Sequence, residues 1–199
     1  MTVSSLPTVD ETSPRYPGWR IVAVCFVMAT FSWGLGFYGQ SVYLPELQRL
    51  HGWQTSWISS ATTIYYLTGA ALVVFVGDAI GKVGARACLI AGVIAMATAT
   101  ALLGHIDKLW QLYAVYALLA CGWAGTSLGA ITNTLGLWFD RKRGMAISLA
   151  LNGASCGGIV GVPLLTAAIA HWHFTGAMLV AAIVAVLLLI PLILFAVGT

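Results

Sequence analysis

Seven of the fifteen charged residues in this 199-residue sequence fall in two short stretches. The first, GDAIGKVGAR at 77–86, places Asp78 near the mobile cations of Lys82 and Arg86, with Gly81 allowing a tight turn. A carboxylate so placed can make and break an ion pair as its surroundings move, which is the chemistry of a latch. The second, WFDRKRGMA at 138–146, carries Arg141, Lys142 and Arg143 in a row. Such a triplet holds anionic lipid head groups and makes further surface contacts. A third set is uncharged: the amides of Gln40, Asn133 and Asn152 and the hydroxyls of Tyr65 and Tyr66 lie inside long apolar runs. Polar groups in such a setting are costly when unpaired, so they face one another or water. They are the candidates for contact with a polar solute; the plainer alternative is that they tie helices together.

Other chemistries fit poorly. GTSLG at 125–129 has the spacing of a hydrolase nucleophile at Ser127, but a serine needs a histidine base within hydrogen-bond reach. The sixth helix carries no histidine, and His171 and His173 are expected at the outer rim while Ser127 is expected near mid-membrane. Two such ligands alone make a poor metal site. Cys25, Cys88, Cys121 and Cys156 each fall in a different apolar run, so neither a disulfide framework nor a zinc site is expected, and no cofactor is implied.

Composition sets what must position these groups. The chain is 60% hydrophobic and 8% charged, with mean hydropathy +0.93, whereas a soluble domain carries about 25% charged residues. This excludes a soluble enzyme and a disordered chain. A net charge of +3 with scattered bases also excludes a nucleic-acid module. Stretches free of Asp, Glu, Lys and Arg cover 21–45, 50–77, 87–106, 109–139 and 144–199. At about 20 residues per crossing, the first four supply one helix each and the last supplies two, parted at His171, Trp172 and His173. The expected fold is all-α, with six transmembrane helices at about 21–44, 56–77, 87–104, 110–137, 145–170 and 175–197. Residues 1–20 are polar, contain three prolines, and are expected to form a disordered cytoplasmic tail.

Basic residues set the orientation. With the amino terminus inside, Arg15, Arg20, Lys82, Arg86, Arg141, Lys142 and Arg143 are cytoplasmic, and only Arg49 and Lys108 lie outside. The positive-inside rule selects that arrangement. Both termini of a multi-pass protein of the cell membrane, plasma or inner, are therefore expected in the cytoplasm. The third and sixth helices are almost wholly apolar and are expected to face lipid. The first, second, fourth and fifth carry the polar groups. Gly122, Thr126, Gly129 and Asn133 step by helical intervals along the fourth and are expected to share one face. Gly153, Gly157 and Gly161 form a small-xxx-small pattern on the fifth, for close packing or for gating by bending.

The spacing of Asp78, Gly81, Lys82 and Arg86 resembles the loop signature of the major facilitator superfamily, with Val74 in the place of its usual leading glycine. The 138–146 stretch, followed by Ser148, Ala150, Gly153 and Gly157, resembles the aromatic, triple-basic signature opening the fifth helix of monocarboxylate-porter-like transporters. Gly18 and Trp19 are a weaker echo of that family's other signature. The resemblance implies one six-helix half of a bundle whose two halves hold a solute between them near the midplane. It implies no enzyme but a secondary transporter working by alternating access, moving a small organic anion such as a monocarboxylate. The implied partners are the lipid bilayer, the small-molecule solute, and a second six-helix half or a second copy; no nucleic acid is implied. The sequence departs from the pattern at Leu118, where the superfamily often has a fourth-helix arginine, and at Gln40, the nearest match to the lysine of monocarboxylate porters. Alternatives are a non-transporting membrane subunit and, further off, an intramembrane serine protease.

Overall fold

The computed structural model describes residues 11, 13 and 16–197, and every regular element among them is helical. Helix α1 (Gly18–Phe31) passes directly into a π-helical segment (Ser32–Tyr38) and then into α2 (Gln40–His51). Helices α3 (Thr55–Val83) and α4 (Ala85–Leu103) are joined by Gly84 alone, at φ 87°, a conformation that glycine adopts freely and other residues do not. Helices α5 (Leu109–Thr126) and α6 (Leu128–Gly136) form one crossing interrupted at Ser127, whose backbone is extended. Then come α7 (Arg143–Cys156), a second π-helical segment (Gly157–Gly161) and α8 (Val162–Ala196).

Five helical stretches are long and apolar enough to cross a membrane. The last, Arg143–Ala196, has 54 residues and would run about 80 Å if straight, far beyond a bilayer's hydrocarbon. It is broken at His173 (φ 57°, ψ 173°). Beyond the break the chain doubles back, so that Leu192 and Ala196 lie beside Arg20 and Val24 of α1. The molecule is an all-α, multi-pass membrane protein with six crossings.

Close backbone approach holds the crossings together. A Cβ added at Gly153 would lie 2.1 Å from the Phe26 carbonyl oxygen, and one at Gly157 would lie 2.4 Å from that of Thr30. Helices α1 and α7 therefore touch backbone to backbone, as small residues permit in bilayers. Gly161, on the same stripe, has ordinary room, with Gly34 Cα at 3.6 Å. A second seam joins α4 and α5, where a Cβ at Gly122 would meet the Met96 amide at 2.4 Å and one at Gly92 would meet Gly125 at 2.8 Å. In the buried centre Ser32 and Thr126 share a hydrogen bond of 2.6 Å between the first and fourth crossings. The two π-helical segments also face each other: a Cβ at Gly34 would lie 3.4 Å from the Gly157 carbonyl oxygen.

Three local features depart from the expectation. The 77–86 stretch is not a turn of many residues, because α3 continues to Val83 and only Gly84 turns. Its 29 residues span about 43 Å, so the helix outruns the hydrocarbon and Asp78, Gly81 and Lys82 ride on its last turns. The fourth crossing has no single polar stripe, because the break at Ser127 changes the phase. Gly122 and Thr126 meet Met96 of α4, whereas Gly129 and Asn133 meet Val73 and Gly77 of α3. Residues 18–20 already belong to α1, and Tyr16 packs on the 138–139 segment. Of the expected tail, residues 1–10, 12, 14 and 15 lie outside the described residues, Arg15 among them.

Candidate functional site

Five aromatic rings from three crossings gather around Gly36 in the first π-helical segment. Trp33 and Trp123 have centroids 4.8 Å apart, Phe37 and Trp123 stack at 6.4 Å, and Phe37 meets Tyr66 at 6.1 Å edge to face. Tyr65 packs beneath, 5.0 Å from Tyr66 and 6.2 Å from Trp123. Glycine at 36 makes this convergence sterically feasible, since a Cβ there would lie 2.7 Å from the Trp123 ring and 2.8 Å from the Tyr65 hydroxyl. The Gln40 side-chain amide donates to the Gly36 carbonyl at 3.2 Å. Its own Oε1 and the Tyr65 hydroxyl are buried with no hydrogen-bond partner among the described residues. Within the π-helical segment the Leu35 carbonyl accepts from the Tyr43 hydroxyl at 2.8 Å, and such segments recur at functional sites.

Sequence reasoning named Gln40, Tyr65 and Tyr66 but missed Phe37 and Trp123 as members of this group. The signal was present: both are aromatic residues next to glycine in the middle of an apolar run, not at its ends where interfacial belts form.

The other candidates lie elsewhere. Asn133 is ten residues beyond Trp123, about 15 Å along the crossing. It is exposed, donates to the Gly129 carbonyl at 2.8 Å, and borders Gly77 of α3. Asn152 is exposed on α7 with Ser148 and Ser155; Ser155, Tyr38, Ser41 and Gly158 line an open groove of about 430 Å³. At the end of the bundle where α3 finishes, Asp78, Lys82 and Arg86 are all exposed. Among the described residues the sole salt bridge joins Arg49 to Glu46 at 2.7 Å, so no internal partner engages Asp78. Gly81 has nothing within 4 Å of an added Cβ. Arg141 and Arg143 are exposed and Lys142 is half-buried, with the Arg143 guanidinium lying over Gly136. Gly153, Gly157 and Gly161 form the seam described above. Ser127 is buried at the break between α5 and α6.

At that same end a strap crosses the basic triplet. The Glu11 carboxylate accepts from the backbone amides of Asp140 at 2.9 Å, Arg141 at 3.4 Å and Lys142 at 2.7 Å. The Tyr16 hydroxyl donates to the Trp138 carbonyl, and the Phe139 ring packs edge-on against Tyr16 and Trp19. Gly18 admits Phe139, since a Cβ there would lie 2.9 Å from its ring. The amide donated by Asp140, then that of Lys142, hold the Glu11 carboxyl below the usual carboxylate range. Because this pKa is depressed, the strap gains from Glu11's charge at pH values above the free carboxylate pKa and loses it as pH falls through the lowered one. Glu11→Gln is therefore expected to speed limited proteolysis at this end of the chain at neutral pH, whereas the unaltered chain reaches comparable cleavage only as the pH falls below the ordinary carboxylate range; equal cleavage of both at neutral pH would remove Glu11 from the strap.

Residues 22–198 match the Major Facilitator Superfamily. The chain is 25% identical over 186 residues to the uncharacterised MFS-type transporter YcxA of Bacillus subtilis, covering 93% of this chain and 45% of that protein. It is 30% identical over 147 residues to monocarboxylate transporter 3 of Rattus norvegicus, covering 69% and 28% respectively. It is 26% identical over 160 residues to a gentisate transporter of Corynebacterium glutamicum, covering 78% and 35%. The chain thus spans less than half the length of these curated relatives. With the family match running through nearly the whole helical bundle, together with the six crossings and the Asp78 to Arg86 spacing, this chain belongs to the major facilitator superfamily and within it resembles the monocarboxylate transporters.

Proposed function

We propose that this chain forms one wall of the solute path of a secondary transporter that works by alternating access on a small organic anion, a monocarboxylate being the leading class. The observation that carries the reading is the exposure of Tyr66, Asn133, Ser148, Asn152 and Ser155 on otherwise apolar crossings. Amides and hydroxyls facing hydrocarbon would be costly, so these surfaces belong against water, solute or another helical half. The names of two relatives, a monocarboxylate transporter and a gentisate transporter, support an organic anion. The opposite wall comes from a second six-helix half. The basic ends at Lys82, Arg86 and 141–143 face the cytoplasm in this reading, as do both termini.

The test is uptake of radiolabelled lactate into vesicles containing the purified chain, with crosslinking in the same membranes. Saturable uptake by a crosslinkable dimer is expected. Monomers only, with no uptake above empty vesicles, would overturn the paired-half reading.

A further inference from the structure

We propose that the rings around Gly36 form a subsite for an aromatic ring of the solute, so that this wall prefers ring-bearing carboxylates to saturated ones of equal charge and size. The inference rests on the transporter reading and narrows its substrate class. Phe37 and Tyr66 are 43% and 41% exposed and stand edge to face, while Trp123 lies nearly parallel to Phe37 at 26°. A planar ring laid on the exposed sides of Phe37 and Tyr66, which stand at 68° to each other, meets one face and one edge, the two arrangements that aromatic quadrupoles favour. A saturated ring of the same size gains burial but not these contacts.

The setting argues against plain lipid contact. Rings that anchor a protein to its membrane gather at the two interfaces. This group sits in the interior of its crossings, Gly36 five residues past the end of α1 at Phe31 and Trp123 midway along the fourth crossing, Leu109–Gly136, on glycine-cleared ground. Two polar atoms beneath it, Tyr65 Oη and Gln40 Oε1, have no partner among the described residues. Tyr65 Oη lies by Gly36 beside the Trp123 ring, and the Gln40 amide reaches the Gly36 carbonyl. A hydroxyl carried on the bound ring supplies what each lacks, a donor for the Gln40 oxygen and an acceptor for the Tyr65 hydroxyl, once Trp123 swings aside. With no Asp, Glu, Lys or Arg on the crossings at this depth, ring contacts rather than charge give this wall its selectivity.

The experiment is equilibrium binding of radiolabelled benzoate to the chain in phospholipid nanodiscs, competed by unlabelled benzoate or cyclohexanecarboxylate. Benzoate is expected to compete about five-fold more strongly, and Phe37→Leu, which alters an exposed side chain, is expected to erase the difference while leaving thermal unfolding unchanged. Equal competition by the two acids, retention of the preference in Phe37→Leu, or absence of benzoate binding would each overturn the subsite. The two readings fail separately. Lactate uptake without ring preference sinks the subsite alone, whereas ring-selective binding without uptake of either acid sustains it and sinks the transport reading.

Discussion

Gly153→Ala is expected to destabilise the bundle by about 3 kcal/mol, at the upper end of the cost of overpacking. The added methyl would lie 2.1 Å from the Phe26 carbonyl oxygen and 2.9 Å from its carbon, and neither is a side-chain end that can turn away. Helices α1 and α7 would have to separate along a seam that also includes Gly157 and Thr30. Alanine's better helix propensity returns only about 0.5–1 kcal/mol. Gly161→Ala, about two turns along the same pattern, is the control: its nearest neighbour is Gly34 Cα at 3.6 Å, and the change is expected to stay within about 0.5 kcal/mol. Thermal unfolding of both variants in mild detergent checks the pair. Similar midpoints for the two would show that the seam is not built as described.

Asp78→Asn is expected to lower solute flux about ten-fold while leaving insertion and unfolding temperature unchanged. Asp78 is exposed at the end of α3 and has no ion-pair partner among the described residues, so its removal costs the fold little. In the transport reading its partner appears in only one of the two states of the cycle. A charge-assisted contact present in one state shifts the balance by its full differential energy, and about 1.4 kcal/mol is a factor of ten. Asparagine keeps the shape and loses the charge. Flux measured in vesicles and found unchanged would remove Asp78 from the cycle.

Much of the fold was legible because hydrocarbon imposes a coarse rule: runs without charge must be helices of bilayer length. That 144–199 divides follows from length, since one helix cannot be that long, and the polar and aromatic side chains of His171, Trp172 and His173 place the division. Events that keep the helix while changing its phase leave no such trace. The extra residue of each π-helical segment and the extended Ser127 are invisible to hydropathy, and they decide which side chains meet. Hence Gln40 and Tyr65 could be named as polar groups at depth, but not their meeting at Gly36 beside Trp123. The 77–86 stretch misled for the opposite reason. Its three glycines and three charges read as a turn, yet two of the glycines, Gly77 and Gly81, are helical and only Gly84 needs a positive φ.

The facing π-helical segments have a mechanical corollary. Each stores a surplus residue in its winding, and an α-helix advances about 100° per residue. Expelling that surplus from Ser32–Tyr38 would swivel everything beyond it, Gln40 and Tyr43 included, by roughly a quarter of a revolution about the helix axis, while the Gly153 seam toward the other end stayed locked. The first and fifth crossings are thus each a shaft with a clutch at mid-length, and the two clutches are set side by side.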